Sequence, residues 1–86
     1  MSGMLIQYDT EVGAYYVQLA DGEVVRTVHV SDDVMVDLEA DGRLHGIELL
    51  CPPGDLGDAE RAELAARFPA AERALTELQR IMPLPA

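Results

Sequence analysis

Hydrophobic positions change period once along the chain. Up to Leu50 they alternate in short β-branched runs, the pattern of half-buried strands; from Asp58 onward they recur at helical spacing. The clearest alternation is Val34–Leu50, where two apolar runs flank Asp41-Gly42, a dipeptide that tolerates φ > 0 and predicts a two-residue hairpin turn. With that turn, Val36 faces Ile47, Val34 faces Leu49 and Leu38 faces His45 on an apolar side. Asp37 with Gly46 and Met35 with Glu48 fall on the other. A slip of one residue would place Val36 against Gly46 and Val34 against Glu48, so the patterning itself sets the register.

Three earlier runs complete a sheet. Leu5-Ile6-Gln7-Tyr8 is a short strand, followed by turn chemistry at Asp9-Thr10-Glu11-Val12-Gly13 and a second strand, Ala14–Leu19. Asp21-Gly22 predicts another tight turn into Val24–Val30, pairing Leu19 with Val24, Val17 with Arg26, Tyr16 with Thr27 and Tyr15 with Val28. A three-residue loop, Ser31-Asp32-Asp33, would then set Val30 against Val34 and Val28 against Val36, with Asp33 in the left-handed region. Stacked this way, the strands form an antiparallel β-meander of about five. Its core face carries Tyr15, Val17, Leu19, Val24, Val28, Val30, Val34, Val36, Leu38, Ile47 and Leu49. The mixed face carries the rows Ala14–His29–Met35–Glu48, Tyr16–Thr27–Asp37–Gly46 and Gln18–Val25–Glu39–Leu44.

Cys51–Gly57 is rich in Pro and Gly and reads as a linker. Asp58 can N-cap a helix through Arg67, with Glu63 and Arg67 as an i,i+4 pair; Pro69 either kinks that helix or opens a second. Beyond it, Ala71, Ala74, Leu75, Leu78 and Ile81/Met82 form one apolar stripe that needs the core face of the sheet. The expected fold class is therefore α+β: the meander with a C-terminal helix or kinked helix pair packed on one face. A single domain over 1–86 is expected, divided into sheet (4–50), linker (51–57) and helical segment (58–82), with a loose tail from Pro83.

Charge narrows the function classes. The chain of 86 residues has a formal charge of −10 and no lysine, and its first fifty residues hold ten acids against two arginines. A phosphate backbone would be repelled, so no direct nucleic-acid binding is expected; a basic protein is the complementary partner. No apolar run approaches the roughly 18 residues of a membrane span, Met1–Met4 lacks the features of a signal peptide, and the one cysteine, Cys51, has no internal partner. A cytoplasmic, non-membrane protein is expected.

Asp37, Glu39, Asp41, Gly42 and Glu48 fall at positions 1, 3, 5, 6 and 12 of an EF-hand loop. The entering segment alternates as a strand, and Pro52-Pro53 leave no room for an exiting helix, so the hairpin reading takes precedence over calcium. His29 and Cys51 lack the spacing of zinc ligands, and no phosphate loop, nucleophile elbow or dinucleotide fingerprint occurs. No cofactor, metal or catalytic residue is assigned. Cys51 has no neighbouring base and reads as a part-buried strand-end residue, and His45 as an edge histidine on the core side.

Tyr8-Asp9-Thr10-Glu11, Ala14-Tyr15-Tyr16-Val17, Val28-His29-Val30-Ser31-Asp32, Val36-Asp37-Leu38-Glu39 and Asp41-Gly42-Arg43…Gly46-Ile47-Glu48-Leu49-Leu50 together resemble DUF2283, a family of small prokaryotic proteins of unknown function. The resemblance covers about residues 5–50 and departs from the family pattern at Thr10, Gly13 and Asp33. It implies little about activity, although some members look like partners of small toxin-like proteins.

Candidate site residues lie on the mixed face: Tyr16, His29, Asp37, Gly46 and Glu48. The missing side chain at Gly46 beside Asp37 would leave a recess there, able to hold a ligand or metal. The plainer reading is cross-strand hydrogen bonding or a homodimer interface. The function expected is a non-enzymatic, homodimeric interaction module. The alternatives are an antitoxin-like acidic inhibitor of a basic partner, and a ligand or metal site on the polar face that could be catalytic.

Overall fold

The computed structural model describes residues 5–81, with the side chain of Ile81 left out of account. Expectations for Met1–Met4, Met82 and the tail from Pro83 lie outside these residues. Five strands, β1 (Leu5–Asp9), β2 (Ala14–Gln18), β3 (Val24–Ser31), β4 (Val34–Glu39) and β5 (Leu44–Leu49), precede two helices, α1 (Asp58–Arg67) and α2 (Pro69–Ile81). All strand pairs are antiparallel, and the α+β class is as the sequence predicts.

The strand order, β1-β2-β5-β4-β3, departs from a simple meander. β2 pairs with β5, setting Tyr15 against Leu49, Tyr16 against Glu48 and Val17 against Ile47. The expected pairing of β2 with β3 through an Asp21-Gly22 turn is therefore corrected. The connection from Leu19 to Glu23 instead crosses the ends of β5 and β4, three strand spacings or about 14 Å. The cause is burial. β5 carries Ile47 and Leu49, both fully buried, and in a meander it would be an edge; the crossover makes it central and moves β3, with Arg26, Thr27 and His29, outward. Val24, expected in the core, is consequently 40% exposed.

The β3–β4 and β4–β5 hairpins each differ from expectation by one residue near the turn and recover it within the strand. Between β4 and β5 the loop is Ala40-Asp41-Gly42. The Gly42 N–H donates to the Glu39 carbonyl and the Glu39 N–H to the Arg43 carbonyl, at 2.9 Å each. Only Gly42, at φ 85°, is left-handed; Asp41 is not, contrary to the two-residue turn. Leu38 thus meets Leu44 rather than His45, and Leu44 joins the core. A bulge at His45 then restores the expected pairs Asp37–Gly46, Met35–Glu48, Val36–Ile47 and Val34–Leu49. Between β3 and β4 the turn closes at Ser31 opposite Val34, with no positive φ at Asp33, and a shift at Val30 restores Val28 opposite Val36.

At the β1–β2 turn, Asp9 accepts from the Glu11 N–H at 2.9 Å and Gly13 sits at φ 70°, as its turn chemistry requires. Gly57 rather than Asp58 caps α1, and Pro69 is the first residue of α2, its missing N–H costing nothing there. Glu63 and Arg67 pair at 3.5 Å. Leu64 of α1 and Ala71, Ala74, Leu75 and Leu78 of α2 are buried with Val17, Val34, Val36, Ile47 and Leu49 in one core. Burying Leu64, Leu75 and Leu78 stabilises the fold by ~1.5–3 kcal/mol each. Ser31 at the end of β3 donates a hydrogen bond to Glu60, tying the sheet to α1.

Candidate functional site

On the face of the sheet away from the helices, Gly46 of β5 lies between Gln18 of β2 and Asp37 of β4. Its lack of a side chain leaves a gap, and the ring of Tyr16 fills it. A Cβ on residue 46 would fall well inside contact distance of the Tyr16 hydroxyl and ring. Across that gap the Tyr16 hydroxyl donates to Asp37 Oδ2 at 2.7 Å, while Thr27 Oγ1 on β3 donates to Asp37 Oδ1 at 2.6 Å. One carboxylate thereby ties together β2, β4 and β3, with β5 passing beneath the tyrosine ring.

The alternation of the sequence predicts Tyr16, Thr27, Asp37 and Gly46 in one row. They do meet, but Tyr16 arrives from the β5 side rather than beside Thr27. The recess anticipated over Gly46 is occupied by protein. Burial first, then the hydrogen bond to Asp37, then the charges of Asp37 and Glu48 push the Tyr16 phenol far above its ordinary value of 10.0. At neutral pH it is a neutral donor, unsuited to act as a base or nucleophile. Glu48 sits opposite Tyr16 and Met35. His29 is exposed, opposite Met35, two pairs beyond Thr27–Asp37 on the same face. It is not drawn into the hydroxyl–carboxylate cluster.

Two further features border the cluster. A half-open recess of ≈ 200 Å³ is lined by Gln7, Asp9, Val12, Ala14, Tyr16 and Glu48. At the opposite end, under the β2–β3 crossover, Glu39 Oε2 accepts from the Gly22 N–H at 2.8 Å and lies 2.9 Å from His45 Nδ1. Both residues are 9% exposed. The bulge turns the His45 ring to Glu39, away from its expected place opposite Leu38. This pair has no signature in the sequence, because it depends on a bulge and on a loop that crosses from β2. Cys51, half-buried just past β5, has its thiol pKa raised by burial and then by Asp33, Glu60 and Asp55, the opposite of activation. Among the described residues no three His, Cys, Asp or Glu side chains converge on a point that would hold a metal ion.

The fold and this cluster define a small α+β domain whose polar sheet face is cross-linked through a glycine gap. The chain belongs to the family described as protein of unknown function, DUF2283, whose sequence model matches residues 5–51, the whole sheet and none of the helices. No curated protein and no solved structure matches the chain. No helix among the described residues is long and apolar enough to cross a membrane.

Proposed function

We propose that the chain is a non-enzymatic interaction module that acts as a homodimer. The observation that carries this reading is the closure of the polar-face cluster. Asp37 accepts from both Tyr16 and Thr27, and the Tyr16 ring fills the gap over Gly46, so these groups are spent on holding strands together. Apolar side chains meanwhile remain open around the sheet, with Leu5, Tyr8, Val12 and Val25 each at least half exposed. Light scattering across micromolar concentrations is expected to give a dimer. A monomer throughout that range would overturn the reading.

A second reading rests on charge. Asp9, Glu11, Asp21, Glu23, Asp32 and Asp41 are all exposed on the strand half, an acidic surface suited to a basic protein, as an antitoxin-like inhibitor would need. Affinity for such a partner would fall steeply with added salt. A third reading places a small ligand in the recess beside Tyr16 and Glu48, and a thermal-shift screen with Gln7→Trp as a blocking variant tests it.

A further inference from the structure

Among the described residues the sheet has two outer edges, those of β1 and β3, and they differ in how they are protected. β3 breaks register with β4 twice, between Val24 and Arg26 and between His29 and Ser31, and carries Arg26. Bulges and a cationic residue are the devices that discourage a strand from pairing further. β1 has neither. It runs in unbroken register with β2 from Leu5 to Asp9, without proline, lysine or arginine, and its one acid is at the end. Of the exposed apolar residues, Leu5, Tyr8 and Val12 lie on it or on the turn that follows, while Val24 and Val25 lie at the start of β3, beside its first break in register. The helices pack chiefly on β3 and β5, leaving Ile6 at the margin of the core and the Tyr8 ring tilted against that of Tyr15, with 4.6 Å between ring centroids.

We propose that β1 pairs antiparallel with β1 of a second copy, about a two-fold axis through Gln7, joining two five-stranded sheets into one. The proposal rests on the homodimer reading above and names its surface. In this register Gln7 faces the partner's Gln7, Ile6 faces the partner's Tyr8, and Leu5 faces the partner's Asp9. Ile6 and Tyr8 both project to the helix side, so the pairing continues each core across the seam. Charge selects the axis. Centred on Gln7, the two Asp9 carboxylates stand at opposite ends; centred on Asp9, they would oppose each other in a chain already at −10. With a second copy this register sets Ile6 against Tyr8 twice on the helix side and keeps both Asp9 carboxylates at the ends, an arrangement that an unrelated basic segment would not supply.

Sedimentation of the full chain, of Gln7→Glu, of Gln7→Lys and of an equimolar mixture of the two variants tests the seam. Each variant alone opposes like charges at the axis and is expected to dissociate ~5-fold more readily, and the mixture to recover wild-type association. In a Cys51→Ser background, Gln7→Cys is expected to form a covalent dimer with oxidised glutathione as oxidant, because directly opposed strand residues lie within disulfide reach. This cross-link decides the matter if either charged variant loses its fold. A monomeric wild type would refute both this proposal and the homodimer reading, leaving β1 to a heterologous strand. A wild-type dimer with unaffected variants and no cross-link would refute the seam alone.

Discussion

The ring of Tyr16 occupies the space that a side chain on Gly46 would need, and from there its hydroxyl reaches Asp37 two strands away. A glycine inside a buried strand, ordinarily a weakness, is here the gap that lets an aromatic ring bridge three strands. The two residues therefore stand or fall together.

Gly46→Ala should displace the ring and forfeit its hydrogen bond, lowering stability by about 1–3 kcal/mol. Urea denaturation measures this, and the same substitution in a Tyr16→Ala background should cost much less. Equal costs in the two backgrounds would show that the ring does not lie over residue 46.

Tyr16→Phe keeps the ring but removes the donor to Asp37, at a cost of about 1–2 kcal/mol at neutral pH. The folded state holds the phenolic proton more tightly than the unfolded chain, whose tyrosines titrate near 10.0. The stabilisation is thus fully present below pH 10 and is lost as pH rises above that value toward the folded-state pKa. Wild-type stability should fall more steeply above about pH 10 than that of Tyr16→Phe. The raised thiol of Cys51 contributes in the same direction to both proteins and cancels in the comparison.

Glu39→Ala should leave the Gly22 N–H and the His45 imidazole without their shared acceptor, at a cost of about 1–3 kcal/mol. Hydrogen exchange localises the effect. The Gly22 amide should lose protection first, releasing the crossover loop while β4 and β5 stay paired. Unaltered exchange at Gly22 would contradict the contact.

Gly42→Val places a β-branched residue at φ 85° and should destabilise by more than ~1 kcal/mol, with Gly42→Asn distinctly milder. Thermal melting of the two variants gives the comparison. Indistinguishable melting of Gly42→Val and the wild type would rule out the left-handed turn.

The inner register of the β4–β5 hairpin was legible because Val34, Val36, Ile47 and Leu49 must share one face, whatever the turn does. The turn itself is one residue longer than Asp41-Gly42 alone implies, and the bulge at His45 absorbs the difference. The partner of β2 was not legible. Asp21-Gly22 is a sound local turn signal, but burying Ile47 and Leu49 on a central strand outweighs it, and that preference is a property of the whole sheet. Tyr16, Asp37 and Gly46 could be grouped from alternation alone, since that fixes the face of each residue but not its neighbour. The glycine gap was visible; that Tyr16 fills it depends on the strand order. In the helical segment the stripe of Leu75 and Leu78 was readable from spacing, whereas the break at Phe68 and Pro69 needed the structure.

The crossover from β2 to β3 also governs how the chain can reach its native state. β3, β4 and β5 assemble through short hairpins, and so do β1 and β2, but the two groups join only where β2 meets β5, between residues far apart in sequence. Local hairpins close quickly, whereas this junction pairs residues far apart in sequence and must hold the Leu19–Glu23 connection stretched across β5 and β4. Joining of the two groups is then the step expected to be slow. Val17 and Ile47, opposed across that junction, are the positions where truncation to alanine should retard refolding, whereas a change at Val12 in the β1–β2 turn should leave the refolding rate nearly untouched.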